Sequence, residues 1–299
     1  MEGRSLSAGG TVAEAVRTSL PAEKTHPIPS VDWWTTSHCN LACDFCYGPV
    51  PGTDPVERRD AIFEALTASS ARAVTFCGGE PLLLRKIGEY AAVLRQRGKA
   101  AVLNTNGELL RRRLDQGLRL ADFALVGISL EGSTPEVHRA MRGQKADFDE
   151  VVEAARLVGK EPGVSLKLAT VVSRVNRDNL PDLARTIREL VPEVWRLYQY
   201  SSRGDQNTGQ QRHSIKNDEF EYLVKEAAIL AAPVPTAPSA ESETEGCLIV
   251  DPAGNVLQPV GSTYQRRGNC LEEPLDRIWA QIPARSTIIS NKRWLSVLS

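Results

Sequence analysis

The sequence predicts an α/β fold: a partial (β/α)6 barrel of the TIM type, open at one side, with a small C-terminal hairpin-plus-helix extension. From residue 31 onward, apolar runs of strand length alternate with amphipathic stretches of helix length, which is typical of parallel strand–helix units. Six such units precede a Pro-, Ala- and Ser-rich stretch at 232–245 that interrupts the alternation. The 299 residues, 41% of them hydrophobic, are enough for a substantial core.

The pattern divides the chain into three regions. Residues 1–29 are predicted to be an N-terminal lead-in, residues 30–232 the partial barrel, and residues 233–299 an extension covering the barrel mouth. The predicted strands are 31–37, 73–77, 100–104, 123–130, 164–172 and 194–200. The predicted helices are 56–68, 86–97, 108–116, 148–158, 179–190 and 218–231. In the extension, strands at 247–250 and 256–258 flank a turn at 251–254, and a helix follows at 275–281.

Charge and hydropathy exclude several classes of function. The 36 basic and 37 acidic residues give a net charge of -1, so no global field recruits nucleic acid or an acidic membrane surface. No run approaches the roughly 18 apolar residues of a membrane-spanning helix, and the N-terminus lacks a signal-peptide pattern. We therefore expect a cytoplasmic enzyme with no membrane and no nucleic-acid partner.

Three of the six cysteines fall within eight residues, directly after the first predicted strand. Cys39, Cys43 and Cys46 place three thiolates in one short loop, and thiolates are the usual ligands of iron–sulfur clusters. Three protein ligands leave one iron of a four-iron cluster open for chemistry. A structural zinc site is the alternative, but it needs a fourth ligand, for which His38 is the adjacent residue.

The spacing of these cysteines carries a resemblance. The pattern Cys-x3-Cys-x2-Cys, with Phe45 before the last cysteine, resembles the signature of the radical S-adenosylmethionine (SAM) superfamily. After the second predicted strand, Gly-Gly-Glu-Pro at 78–81 resembles the bulge that binds the amino group of SAM in that family. Its glycines allow close backbone approach, and Glu80 offers a carboxylate to an ammonium group. The resemblance implies a 4Fe–4S cluster held by Cys39, Cys43 and Cys46, with SAM as the second cofactor.

The resemblance also implies which residues contact SAM. Positions at the ends of the third and fourth predicted strands touch its ribose and carboxylate in similar enzymes, and Arg142 can pair with that carboxylate. Each position also has an ordinary interpretation, because Asn-Gly is a common turn and Ser129 could cap a helix. The implied cofactor-binding set is Phe45, Tyr47, Gly78, Gly79, Glu80, Pro81, Asn104, Asn106, Ser129 and Arg142.

The family resemblance implies a mechanism. The reduced cluster gives one electron to SAM, and the resulting 5'-deoxyadenosyl radical removes a hydrogen atom from the substrate. An electron donor such as flavodoxin or ferredoxin is therefore an implied partner. The protein aims one substrate C–H bond at the radical and excludes water and other hydrogen donors.

Strand alternation predicts which residues face the barrel lumen. Lys167 faces inward on the fifth strand, and Arg196, Tyr198 and Tyr200 face inward on the sixth. A polar and aromatic lumen of this kind suits a small hydrophilic substrate such as a sugar or a nucleotide. The alternative is that Lys167 and Arg196 only pair with carboxylates in the lumen.

Part of the chain resembles the viperin-like branch, whose members dehydrate a nucleoside triphosphate. The resemblance rests on Lys167, the run 171–176, Trp195-Arg196, the run 204–207 and Glu219-Phe220. A triphosphate needs a concentrated basic cradle. This chain has Ala169 where relatives carry an asparagine, so action on a nucleotide is kept as the alternative function.

Cys247 opens the predicted C-terminal hairpin, where viperin-like chains carry a tyrosine near the active site. An S–H bond is weak enough to give a hydrogen atom to a carbon radical. A thiol on the face opposite abstraction would therefore invert one stereocentre. The chain thus resembles the radical SAM epimerases of aminoglycoside antibiotic biosynthesis, with Cys247 as the catalytic residue. The alternative is that Cys247 is a small buried hydrophobic residue.

The resemblance implies inversion of one sugar carbon of an aminoglycoside, of the neomycin C to neomycin B type. A polycationic substrate should meet carboxylates and aromatic rings, and Glu245 lies just before Cys247. A second cluster on Cys77, Cys247 and Cys270 is a third option, although the cysteine-rich part of an auxiliary-cluster extension is missing. Cys77 is expected to pack in the core. The predicted substrate contacts are Lys167, Arg196, Tyr198, Tyr200 and Glu245.

Overall fold

One sheet organises the described part of the chain. The computed structural model describes residues 27–49, 52, 54–203, 211–239 and 248–282. Its strands are β1 (Ser30–Thr36), β2 (Ala73–Gly78), β3 (Ala100–Thr105), β4 (Leu125–Ser129), β5 (Ser165–Val172), β6 (Val194–Gln199), β7 (Thr236–Ser239), β8 (Ile249–Val250), β9 (Asn255–Val260) and β10 (Thr263–Asn269). Their order in the sheet is β10-β9-β8-β1-β2-β3-β4-β5-β6-β7.

Helices connect the parallel strands. They are α1 (Arg59–Ala68), α2 (Ile87–Gln96), α3 (Leu110–Asp115), α4 (Pro135–Arg142), α5 (Phe148–Gly159), α6 (Leu180–Leu190), α7 (Asn217–Ala231) and α8 (Leu275–Ala280). Parallel neighbours need such crossovers, because the chain must return from the C-terminal end of one strand to the end of the sheet where the next strand begins. Among the described residues, no helix combines the length and the apolar character required to cross a membrane.

The strands from β8 through β1 to β7 are all parallel, whereas β9 pairs antiparallel with both β8 and β10. The six predicted barrel strands are all present, with ends that differ from the prediction by at most two residues. The order has two free edges, β10 and β7, so the sheet is open. The predicted α/β class with an open parallel sheet is confirmed.

The stretch predicted as a linker at 232–245 contains a strand. β7 pairs in parallel with β6, in a register that sets Ala237 opposite Arg196 and Pro238 opposite Leu197. Proline suggested a break in structure, but an edge strand tolerates it, since one side of the strand has no partner to bond. The prediction of a linker is therefore wrong for 236–239, and residues 240–245 lie outside the described part.

The C-terminal extension continues the barrel sheet. The predicted hairpin is present as β8 and β9, and β8 also pairs with β1 through Asp32 and Trp33. The sequence did not predict β10, whose largely polar side chains lack the apolar alternation of a half-buried strand. At the turn between β9 and β10, the Gly261 carbonyl accepts a hydrogen bond of 2.9 Å from Arg203 Nε, beyond the end of β6. The extension thus contacts both sides of the open barrel.

Alternation along the strands separates an outer core from the lumen. Trp33 on β1, Phe76 on β2 and Trp195 on β6 are fully buried in the apolar core shared with the helices. Their strand neighbours point to the opposite face, because side chains alternate along a strand. The lumen face consequently carries residues such as Asp32 and Arg196.

The sequence did not predict α4, a short helix that buries only His138 and Met141. Pro135 occupies its first turn, and the Thr134 hydroxyl caps it by accepting the N–H of Val137. The His138 ring is fully buried, and its Nδ1 lies 3.3 Å from the backbone N–H of Glu131. Burial, aided by nearby arginine charge, lowers the pKa of His138 to about 3.

We expect His138 to make the protein acid-sensitive. Its pKa in the folded state lies below the unfolded value of about 6.5, so the unfolded chain binds the proton first as the pH falls. The stabilisation is complete above about pH 6.5 and is lost as the pH falls toward the folded pKa of about 3. In the variant His138→Asn, Oδ1 can accept the same N–H but does not titrate. Between about pH 7.5 and 5.5, the free energy of unfolding should therefore fall by about 1.4 kcal/mol more in the wild type than in this variant. Urea unfolding at both pH values measures this, and equal losses would contradict the assignment.

Candidate active site

The cysteine loop, residues 38–48, follows β1 and carries the three predicted metal ligands. The sulfurs of Cys39 and Cys46 each accept a backbone N–H from two residues further on, at 3.4 and 3.3 Å. Nη1 of Arg142 lies 4.0 Å from the sulfur of Cys43. Hydrogen bonds and positive charge directed at sulfur suit cysteine thiolates, because they offset the negative charge of a cluster and tune its potential. The loop therefore fits a 4Fe–4S cluster, and we propose these cysteines as its ligands.

The same loop does not support a zinc site. Within the residues that the structure describes, no three His, Cys, Asp or Glu side chains converge as ligands of one metal ion do. His38, the candidate fourth ligand of the zinc alternative, is instead directed at Asp54, with Nδ1 3.6 Å from the carboxylate. Each cysteine of a four-iron cluster binds a different iron, so its ligands are farther apart than those of zinc.

The thiols of Cys39 and Cys43 need a metal to ionise at neutral pH. Burial raises the pKa of Cys39 and raises that of Cys43 to about 12, although the charge of Arg142 opposes the shift at both positions. Without metal these groups carry their protons at neutral pH. Loading of the site must therefore release protons, as metal binding to cysteine generally does.

The glycine bulge after β2 interlocks with the start of the cysteine loop. The N–H of Gly79 donates to the carbonyl of Thr36, and the N–H of Glu80 donates to the carbonyl of His38, both at 2.8 Å. A Cβ at Gly79 would lie 2.0 Å from the His38 carbonyl oxygen, and Gly78 has a φ of +117°. Only glycine permits this approach of two backbones.

The bulge places the Glu80 carboxylate where it is held by three donors. Oε1 accepts the N–H of Leu82 and the hydroxyl of Thr105, at 2.9 and 2.7 Å, and Oε2 accepts the N–H of Asn106 at 2.9 Å. Burial raises the pKa of Glu80, and these hydrogen bonds oppose the shift. A carboxylate offers about four acceptor positions, so one on Oε2 remains for a ligand ammonium group. Pro81 begins the turn that returns the Leu82 N–H to this carboxylate.

The two asparagines at the end of β3 have different surroundings. Nδ2 of Asn106 donates to Oδ1 of Asn40 in the cysteine loop at 2.8 Å. Oδ1 of Asn104 accepts from Nζ of Lys167 in the lumen at 2.7 Å. Ser129 is half-buried at the end of β4. Contacts of these three residues with SAM remain proposals.

Arg142 pairs with Glu131, a partner that the sequence analysis did not identify. Nη2 and Nε of Arg142 donate to Oε1 of Glu131 at 2.8 and 3.2 Å, and the other carboxylate oxygen accepts the N–H of Val171 at 2.7 Å. The guanidinium carbon also lies 5.7 Å from the ring centre of Phe45. Two buried charges require such pairing, because each alone would cost several kcal/mol. The proposed contact of Arg142 with the SAM carboxylate would have to use its remaining N–H groups.

The lumen face of β5 and β6 carries buried cations, as predicted. Lys167 is 3% exposed, and a Cβ at Gly127 would lie 2.4 Å from its Cε, so that glycine makes room for it. Nη2 of Arg196 donates to the hydroxyl of Ser239 at 2.5 Å, and its guanidinium lies 5.1 Å from the ring centre of Tyr198. Nε of Arg196 is buried without a hydrogen-bond partner among the described residues. Among the described residues, the partners of Arg196 are thus a hydroxyl and an aromatic ring, and its pairing with a lumen carboxylate stays an alternative.

Tyr200, the residue after β6, is buried beside the cysteine loop. It is 4% exposed and packs with Phe45 and Met141 against the cysteine loop. Contact of Tyr200 with substrate stays a prediction, at a position just after the end of β6 at Gln199.

Tyr47, directly after the last cysteine of the loop, lies beside residues of β1 and β10. Its side chain is 55% exposed, and its carbonyl accepts a hydrogen bond from the hydroxyl of Tyr264, whose ring packs edge-on against Trp34. Desolvation by the surrounding protein raises the pKa of the Tyr47 hydroxyl above its usual value, and nearby groups including Asp32 and Cys77 add to the shift. Cys77 is half-buried, so the prediction that it packs in the core is wrong. Phe76 takes the core position instead.

Two predicted site residues, Cys247 and Glu245, lie outside the described part of the chain. Sequence reasoning missed two lumen or site residues, Asp32 and Tyr264. A signal existed for Asp32, which is the one charged residue of β1 and lies between the apolar residues Val31 and Trp33. No local signal marks Tyr264, because its contacts come from the distant residues Trp34 and Tyr47.

We expect Gly79→Ala to prevent assembly of the metal site. The added methyl group would have to displace the His38 backbone, and with it the start of the cysteine loop. Iron and sulfide per chain after anaerobic reconstitution should fall severalfold. The matched control is Gly159→Ala, where the new Cβ would meet its nearest neighbour at an ordinary 3.7 Å. Full iron loading of Gly79→Ala would show that the close contact between Gly79 and the His38 backbone is not needed to assemble the metal site.

Comparison with known proteins agrees with this geometry. A profile of the radical SAM superfamily matches residues 35–187, just over half of the 299-residue chain. Fe-coproporphyrin III synthase of Methanosarcina barkeri is 29% identical over 166 residues, which cover 54% of this chain and 41% of that protein. An S-adenosylmethionine-dependent nucleotide dehydratase of Flammeovirga pacifica is 24% identical over 274 residues, which cover 85% of this chain and 91% of that protein. The chain spans about half the length of several curated relatives that it matches.

The fold is shared with a solved structure. Streptococcus suis SuiB bound to S-adenosylmethionine superposes with a TM-score of 0.63 at 16% identity, over 86% of this chain and 67% of that chain. The superfamily match spans both the cysteine loop and the glycine bulge. The chain therefore belongs to the radical SAM superfamily, whose cofactors are a 4Fe–4S cluster and SAM.

Proposed function

We propose that the protein is a radical SAM epimerase that inverts one sugar carbon of an aminoglycoside, of the neomycin C to neomycin B type. The observation that carries the proposal is the position of Cys247 in the chain. The next residue, Leu248, is buried, and its carbonyl accepts the N–H of Asp32 at 2.8 Å. The chain directly after Cys247 is thus fixed to β1, the strand that leads into the cysteine loop.

The reaction needs a hydrogen atom removed from one face and returned to the other. When bound and reduced, the cluster and SAM supply the one-electron chemistry that removes a hydrogen atom from an unactivated carbon. The thiol of Cys247 would return a hydrogen atom from the opposite face, since S–H is weaker than the C–H bond formed. The removed atom leaves with 5'-deoxyadenosine, and one electron from the donor plus a solvent proton restore the thiol. A flavodoxin or ferredoxin suits that donor role.

The surroundings of Tyr47 support a polyhydroxylated cation as substrate. The half-buried carboxylate of Asp32 suits an ammonium group, and the exposed ring of Tyr47 suits an apolar sugar face. Glu245 is proposed as a further carboxylate contact. A cytoplasmic site of action is also proposed, because the cytoplasm keeps cysteine thiols reduced.

A nucleotide substrate is the second candidate, and two observations favour it. The nucleotide dehydratase of Flammeovirga pacifica matches 85% of this chain. Arg196 is buried in the lumen with an Nε that lacks a partner among the described residues, and a phosphate oxygen could satisfy it. Lys167 lies on the same face of the neighbouring strand, with Ala169 opposite Arg196. Viperin-like dehydration of CTP or UTP would use this pair of cations.

The hydrogen-donor role predicts a specific loss in Cys247→Ala. We expect 5'-deoxyadenosine to form with neomycin C while inversion disappears. Wild-type enzyme in deuterated water should place one deuterium at the inverted carbon, because a thiol exchanges with solvent. Cys77→Ala is the matched control, since Cys77 is a half-buried thiol on the lumen side, and it should retain inversion. Full inversion by Cys247→Ala, or loss only in Cys77→Ala, would refute the assignment.

Substrate class is decided by a direct comparison. Reconstituted enzyme is incubated with SAM, reductant and either neomycin C, CTP or UTP, and 5'-deoxyadenosine is quantified. The epimerase proposal predicts formation with the aminoglycoside above the background without substrate. Formation with CTP or UTP alone, abolished by Arg196→Gln, would establish the nucleotide candidate instead.

A further inference from the structure

A short segment after β6 is bonded to the middle of the cysteine loop. His213, in the turn Gln211–His213, is fully buried, and its Nε2 lies 2.8 Å from Oδ1 of Asp44. The guanidinium of the neighbouring Arg212 pairs with the other oxygen of the same carboxylate. Asp44 lies between the proposed ligands Cys43 and Cys46, so two adjacent cationic or hydrogen-bonding side chains converge on one residue of that loop.

The His213 ring also packs between two aromatic rings. Its centre lies 5.6 Å from that of Phe45 and 5.3 Å from that of Tyr200. Nδ1 is 3.4 Å from the hydroxyl of Ser173, at the end of β5. A carboxylate oxygen can only accept, so Nε2 carries a proton toward Asp44. Every side of this buried imidazole therefore has a contact, and one imidazole joins the cysteine loop to the ends of β5 and β6.

The two halves of the cysteine loop are held by different elements. The Cys39 half is fixed by the glycine bulge, through the His38 carbonyl. The second half is a single turn, closed by the N–H of Cys46 donating to the carbonyl of Cys43 at 3.2 Å. Asp44 and Phe45 are the two central residues of that turn, and His213 contacts both.

We infer that His213 is a positioning residue for the cluster. By holding Asp44 and Phe45, it fixes the turn that directs the sulfurs of Cys43 and Cys46 toward iron. It also connects that turn to the end of β6, the strand that carries Arg196 and Tyr198 into the lumen. The inference rests on the cluster of the radical SAM family and not on the choice of aminoglycoside or nucleotide, so failure of either substrate proposal leaves it intact.

The test measures the cluster itself. Reconstituted wild type, His213→Ala and His213→Gln are compared by iron and sulfide content, by the rate of iron loss to a chelator, and by the electron paramagnetic resonance of the reduced cluster with and without SAM. We expect His213→Ala to lose iron about tenfold faster than the wild type, because removing a residue that supports metal ligands typically weakens metal binding by at least that factor. We also expect its spectrum to be altered. His213→Gln should restore both properties, because its amide can donate to Asp44.

Controls separate positioning from general stability. Leu183→Ala removes a buried side chain from α6 on the outer core, and we expect it to lower the unfolding temperature without altering the spectrum. The double variant Asp44→Ala/His213→Ala should lose iron more slowly than the product of the two single effects predicts, because both changes break the shared contact between His213 and Asp44. Wild-type iron retention and spectrum in His213→Ala, additive effects in the double variant, or a spectral change in Leu183→Ala equal to that in His213→Ala would overturn the inference.

Discussion

The structure depends on one close approach of two backbones. Where β1 and β2 end, the N–H groups of Gly79 and Glu80 donate to the carbonyls of Thr36 and His38. These two bonds fix the start of the cysteine loop relative to the Glu80 carboxylate, so the proposed cluster and SAM positions share one rigid support. No side chain fits in this contact, which is why the bulge is built from glycine.

Charge is distributed differently in the two halves of the site. Beside the cysteine loop, charges are paired: the buried Glu131 with Arg142, and the partly exposed Asp44 with Arg212. A cluster that changes charge during turnover benefits from such fixed partners, because they need no reorganisation. In the lumen, Arg196 has a hydroxyl and an aromatic ring as described partners, and its Nε has none. Buried donors of this kind give substrate specificity, because a ligand that accepts their hydrogen bonds binds more tightly than one that leaves them unpaired.

The C-terminal extension contacts the barrel on both sides of the opening that the six strand–helix units leave. It adds β8 to β1 and, at the turn between β9 and β10, accepts a hydrogen bond from Arg203 beyond β6. The Tyr264 hydroxyl bonds the backbone of Tyr47, next to the last cysteine of the triplet. One extension therefore contacts the cysteine loop and both sides of the barrel. Such contacts suit a radical reaction, because water and other hydrogen donors must be kept away from the reacting carbon.

The sequence by itself determined the parallel strands, the cysteine triplet and the glycine bulge, because each is a pattern among residues close together in the chain. It also predicted that Lys167 and Arg196 face the lumen, since alternation within a strand decides facing. It could not predict β7 or β10. These strands form backbone hydrogen bonds with a neighbouring strand, but their own sequences lack an alternation of apolar residues. Only the tertiary structure decided that Arg142 meets Glu131, that Lys167 meets Asn104 across 63 residues, and that His213 meets Asp44 across 169. Such pairs leave no local signal, because a buried charge or imidazole acquires its partner only when distant strands are brought together.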